Sequence, residues 1–137
     1  MRSRSLKLIS LLPALALSAF VLSATGAVAA ELEQQTSQTN GVSISVKPVD
    51  VSAANWQFEV ALNTHSGSLD DDLTKTATLL AAGKQYPATS WEGSAPGGHH
   101  RRGMLRFKAV APRPDAIGLR IVRQGETAPR TFRWKLK

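Results

Sequence analysis

Trp56-Gln57-Phe58-Glu59-Val60-Ala61-Leu62 sets four large apolar side chains at alternate positions, with polar or small ones between them. A period of two marks extended backbone with one buried face, because successive side chains of a strand point to opposite sides. The same rhythm occurs earlier at Val42, Ile44 and Val46. It returns at Leu105, Phe107 and Ala109, at Ile117, Leu119 and Ile121, and at Phe132, Trp134 and Leu136. Residues 76–82 are more uniformly apolar and read as a strand that turns back at Gly83, with Pro87 ending the pairing. Further turn signals fall at Pro112-Arg113-Pro114-Asp115 and at Gln124-Gly125-Glu126. The spacing predicts an all-β domain, an immunoglobulin-like antiparallel β-sandwich of six to eight strands. An up-and-down barrel is the alternative, although so short a chain leaves little room inside one. A capping pattern at Ser68 and Asp71, followed by Leu73, predicts a single short turn of helix.

Outward from this region, residues 1–30 read as a secretory signal peptide. Arg2, Arg4 and Lys7 precede a nearly continuous apolar run over residues 8–22, and Ala27-Val28-Ala29-Ala30 offers cleavage after Ala29 or Ala30. The run is shorter than a membrane span, which needs about 20 residues. Processing would leave no transmembrane segment, and the destination is periplasmic or secreted. The domain organisation expected is a signal peptide (1–30), a disordered polar leader (31–39) and a β-sandwich (40–137).

The formal charge is +7, but three of the 17 Lys and Arg and none of the 10 Asp and Glu lie in residues 1–30, so the processed chain is only +4. Residues 31–83 carry two bases and seven acids, whereas residues 84–137 carry twelve bases and three acids. Cysteine is absent, which excludes disulfides, thiolate metal sites and blue-copper chemistry.

Three segments could carry function. The first is a glycine-rich stretch, Trp91-Glu92-Gly93-Ser94-Ala95-Pro96-Gly97-Gly98-His99-His100-Arg101-Arg102-Gly103, read as one long loop that brings Trp91, Glu92, Arg101 and Arg102 to a binding site. With His65 it gathers every histidine of the chain into loops. Three imidazoles are suitable ligands for zinc or copper, so His65, His99 and His100 are the candidate metal ligands. Neighbouring side chains on extended backbone diverge, so His99 and His100 converge only if the backbone bends there. The second segment, Asp70-Asp71-Asp72, lacks the alternating spacing of a calcium loop and reads as the acidic start of the helix. The third is a basic face formed by Arg106, Lys108, Arg120, Arg133 and Lys135 on the outward side of one or two sheets, with Arg101 and Arg102 at its edge. It would attract an anionic envelope component or an acidic protein partner. Nucleic acid is excluded as a partner by the export signal and the lack of interleaved exposed aromatics. No nucleophile spacing supports an enzyme, so the reading is a non-catalytic binding protein, with an envelope adaptor as the alternative.

Between Phe58 and Trp134 the chain resembles a group of small exported bacterial proteins. The residues that carry the likeness are Thr64-His65-Ser66, Trp91-Glu92-Gly93, Gly97-Gly98-His99-His100-Arg101 and Phe132-Arg133-Trp134. The resemblance implies a domain boundary and no particular chemistry.

Overall fold

The computed structural model describes residues 32–137; the expected signal peptide lies outside these residues. The alternating segments form nine strands and one helical turn: β1 (Gln35–Thr39), β2 (Val42–Asp50), β3 (Asn55–Thr64), α1 (Leu73–Thr76), β4 (Ala77–Ala81), β5 (Lys84–Pro87), β6 (Ser90–Gly93), β7 (His100–Lys108), β8 (Ala116–Ile121) and β9 (Arg130–Lys135). They make an antiparallel β-sandwich. One sheet has the order β1-β2-β3-β7-β6 and the other β5-β4-β8-β9.

The period-two positions do what their spacing dictates. Ile44, Val46, Phe58, Val60, Leu62, Leu105 and Phe107 face inward from the five-stranded sheet and meet Leu79, Leu119, Ile121, Phe132 and Trp134 from the four-stranded one. Phe58 joins the two layers, standing edge-on to Phe107 at 5.6 Å and lying 6.0 Å from Trp134. Offset and edge contacts of this kind add about 0.5–1.5 kcal/mol each beyond simple burial.

Turn chemistry sets the hairpins. Asn40 and Gly41 join β1 to β2, and Ala82 and Gly83 join β4 to β5, with both residues of each turn at positive φ. Left-handed two-residue turns match the twist of paired strands.

Three expectations are corrected. Residues 35–39 are not a disordered leader: β1 pairs with β2 over its full length, from Gln35↔Val46 to Thr39↔Val42. Its sequence has no apolar rhythm because it is an edge strand that adds little to the core. Hydrogen bonds between β9 and the segment 33–35 help to hold it. Gln35 Nε2 donates to the Arg133 carbonyl at 2.5 Å, Gln35 Oε1 accepts from the Arg133 N–H at 3.2 Å, and Trp134 Nε1 donates to the Glu33 carbonyl at 2.7 Å.

The long glycine-rich loop is also shorter than expected. Trp91, Glu92 and Gly93 belong to β6, which pairs with β7 from Ser90↔Arg106 to Gly93↔Gly103, leaving residues 94–99 as the connection. The two facing glycines allow this pairing: a β-carbon on Gly93 would stand 2.5 Å from Gly103 Cα and 2.4 Å from the Arg102 carbonyl oxygen. The Trp91 ring covers the gap they leave. Strands β5 and β6 run in the same direction and are joined by Ala88 and Thr89, so one stretch of chain changes sheets midway.

The helix starts four residues later than its capping pattern predicted. Asp72, rather than Ser68, is the N-cap; its carboxylate accepts from Thr74 N at 3.1 Å and Thr74 Oγ1 at 2.6 Å, and these bonds hold its pKa below the usual carboxylate value.

Candidate functional site

One end of the sandwich carries the turn at Asn40-Gly41 and the loops 65–72, 94–99 and 122–129. The loops at 65–72 and 94–99 meet. Leu69 N donates to the Gly98 carbonyl at 3.0 Å, Gly97 N to the Leu69 carbonyl at 2.9 Å, and Thr64 N to the His99 carbonyl at 2.9 Å. Leu69 and Leu73 plug the core beneath them, both fully buried.

Arg101 fastens this junction. Counting by twos from Leu105 and Phe107 places Arg101 on the inward side of β7, and it is 2% exposed. Its Nη1 donates to the carbonyls of Leu69 at 3.1 Å and Asp71 at 2.6 Å, and its guanidinium carbon lies 5.7 Å from the Trp91 ring centroid. Trp91 Nε1 donates to the Ser94 carbonyl at 3.0 Å. Trp91 and Arg101 therefore brace the loops from within, which removes Arg101 from the rim of the basic face. Glu92 pairs with Arg106 on the neighbouring strand, and that hydrogen bond lowers the Glu92 pKa.

A chain of charges that the sequence did not reveal continues across this end. Asp71 Oδ2 accepts from Arg123 Nε at 3.1 Å and Nη2 at 3.0 Å. Arg123 reaches Glu126 at 3.3 Å, and Glu126 accepts from Arg130 at 3.0 and 2.5 Å. Arg130 then donates to the carbonyls of Ser37, Thr39 and Val42. The side chains of this chain are 3 to 11% exposed.

The structure does not bring the three candidate metal ligands together. His65, His99 and His100 are all exposed, and among the described residues no three His, Asp or Glu side chains are grouped to hold a metal ion. The reason is the one strand geometry supplies: His100 starts β7 and points outward, with Nδ1 2.8 Å from Asn63 Oδ1, while His99 precedes the strand. His100 instead borders a groove of about 430 Å³ on the outer face of the five-stranded sheet, with Ser45, Ala61, Asn63, Ser94 and Arg102.

The basic residues divide between the two outer faces. Arg106 and Lys108 lie on β7, in the five-stranded sheet, while Arg120, Arg133 and Lys135 lie on β8 and β9, in the other. The faces differ in charge balance. On the five-stranded side Arg102 pairs with Glu59 at 2.9 Å and Arg106 with Glu92. On the four-stranded side no Asp or Glu occurs in any strand. Arg120 Nη2 donates to Gln85 Oε1 at 2.8 Å, and its Nε is shut off from solvent without a partner. A trough of about 340 Å³ crosses this face between Lys84, Gln85 and Arg133, floored by Leu80, Ala116 and Gly118.

No protein-family model and no curated protein matches the sequence. Among solved structures, the chain is similar to MPT63, a secreted protein from Mycobacterium tuberculosis, at 17% identity and a TM-score of 0.43. The match covers 72% of this chain and 92% of that one. Among the described residues no helix is long and apolar enough to cross a membrane.

Proposed function

We propose that this is an exported, non-catalytic binding protein that engages an anionic partner of the cell envelope through the outer face of its four-stranded sheet. The observation that carries the reading is the charge imbalance of that face: Arg120, Arg133 and Lys135 point outward from strands that contain no acidic residue. Solubility alone would be served by mixed charges, as on the opposite face. A one-signed field concentrates anions at the surface and raises their association rate.

Retention on immobilised dextran sulfate tests this reading. Reversing Arg120, Arg133 and Lys135 to Glu lowers the salt needed for elution, whereas reversing Arg106 and Lys108 on the other sheet leaves it nearly unchanged. Equal effects from the two sets, or none from the first, refute the assignment.

A second reading is favoured by one observation, the His100–Asn63 bond beside Arg102 in the polar groove of the five-stranded sheet. Such a pair fixes the imidazole and would receive a small anion. Titration with inorganic phosphate, followed through the His100 ring signals, tests it; unmoved signals eliminate it.

A further inference from the structure

Gly118 sits in β8, a central strand, in one cross-strand row with Leu80 of β4 and Arg133 of β9. Glycine weakens a strand interior, because it gives up backbone entropy on folding and has no side chain to pack. Neither reason that enforces glycine elsewhere in this fold applies here. Its φ is not in the left-handed region, and a β-carbon would meet the Phe132 carbonyl oxygen at 3.4 Å and Leu80 Cβ at 3.5 Å, which is ordinary contact. Gly93 and Gly103, by contrast, would clash at 2.4 to 2.6 Å. Gly118 is buried, with Leu80 Cδ1 3.6 Å from where its β-carbon would stand, and together with Leu80 and Ala116 it lines the trough on the cationic face. Strand-interior glycines that packing does not require mark places where something else approaches the backbone closely.

We propose that the trough is a contact site for an acidic polysaccharide, with the C–H face of a sugar ring over Gly118, Ala116 and Leu80 and its carboxylate on Arg133. This rests on the reading of the face as an anion-binding surface and adds the class of ligand. The floor is recessed between Arg133 and Lys84, so a flat membrane would meet the cations first and never touch it. An extended peptide fits no better: β4 and β8 are paired on both sides, so a peptide would find no strand edge for its own backbone groups. Sugar hydroxyls stay in water while the ring and carboxylate use the apolar floor and the cationic wall.

Calorimetric titration of the purified protein with oligogalacturonate tests the inference, with a neutral malto-oligosaccharide, polyglutamate and phosphatidylglycerol vesicles as the other arms. The expected result is binding of oligogalacturonate alone, weakened about tenfold or more from low to high salt. Gly118→Val, which fills the trough, loses about tenfold or more in affinity while its melting temperature stays at or above that of the wild type. Gly118→Ala adds only the accommodated β-carbon and gives a smaller loss, which keeps the test decisive if the valine variant folds poorly. Undiminished binding by both Gly118 variants alongside loss in Arg133→Glu overturns the trough and leaves the cationic face standing. Binding to vesicles or polyglutamate in place of the sugar overturns the ligand class alone, and no binding to any anion overturns both readings.

Discussion

Replacing Arg130 by Met removes a buried side chain that, alongside the pairing with β2, ties β1 to β9. Arg130 is 4% exposed; it bonds Glu126 twice and donates to three backbone carbonyls, two of them on the edge strand β1. Methionine nearly matches the stem in volume, so little packing is lost. What is lost is the compensation of a buried carboxylate, since Glu126 keeps only the 3.3 Å contact to Arg123, and the carbonyls of Ser37 and Thr39 lose their donor. Breaking one side of a buried ion pair costs about 3–5 kcal/mol. Against a total of about 5–15 kcal/mol for a domain of this size, that is about a fifth or more of the stability. Urea denaturation measures the loss, and amide exchange locates it: β1 protection collapses while β3 and β7 retain theirs. A double variant, Arg130→Met with Glu126→Leu, recovers part of the stability, because an apolar pair removes the stranded charge. A loss below about 1 kcal/mol, the range of an exposed pair, or unchanged exchange in β1 refutes the reasoning.

The same network gives acid sensitivity. The Glu126 carboxyl is held below its ordinary value of 4.5, chiefly by the hydrogen bond from Arg130. A carboxylate with a depressed folded pKa stabilises the fold at neutral pH and surrenders that contribution as pH falls from 4.5 through the lower folded value, so Glu126→Gln flattens the acid limb of the stability curve. Gly103→Ala forces a β-carbon to 2.5 Å from the Glu92 carbonyl oxygen and 2.6 Å from Gly93 Cα, and calorimetry should record a loss of at least about 1–3 kcal/mol together with unpairing of β6. Ala82→Asn relieves a left-handed alanine at φ 49° and raises the unfolding midpoint, by about 0.5–1 kcal/mol in stability. Zinc titration finds no site that depends jointly on His65, His99 and His100, and a site abolished by each single alanine substitution would contradict the separation of their side chains.

The strands of the core were legible because burial on one face imposes alternation, from Val42 through Trp134. Strand β1 was not: a polar edge strand is specified by partners nearly a hundred residues away, Arg130 and Arg133, and carries no local rhythm. The β6 pairing hid for a related reason, since Gly93 and Gly103 look like loop residues until they face each other. Arg101 could have been placed inside by carrying the parity of Leu105 and Phe107 four residues back. The ion chain from Asp71 to Arg130 joins two loops to the start of β9, and the Asp71–Arg123 step spans 52 residues. Both outer faces hold basic residues at outward positions, as the alternation requires, but which strands share a sheet is a matter of topology. That is why the sequence left open whether the basic residues share one sheet or two; they divide between two, and only the strands of the four-stranded sheet lack acids.

The tie between β1 and β9 has a consequence for crowded surroundings. An open edge offers a row of unsatisfied N–H and C=O groups to any extended chain that drifts past. Here the Gln35 carboxamide occupies the N–H and C=O of Arg133, and the Arg130 guanidinium occupies the carbonyls of Ser37 and Thr39. On the opposite flank the free edges of β5 and β6 are only four residues each, and β5 is bounded by Lys84 and Pro87. The domain gives foreign strands no long template on either flank.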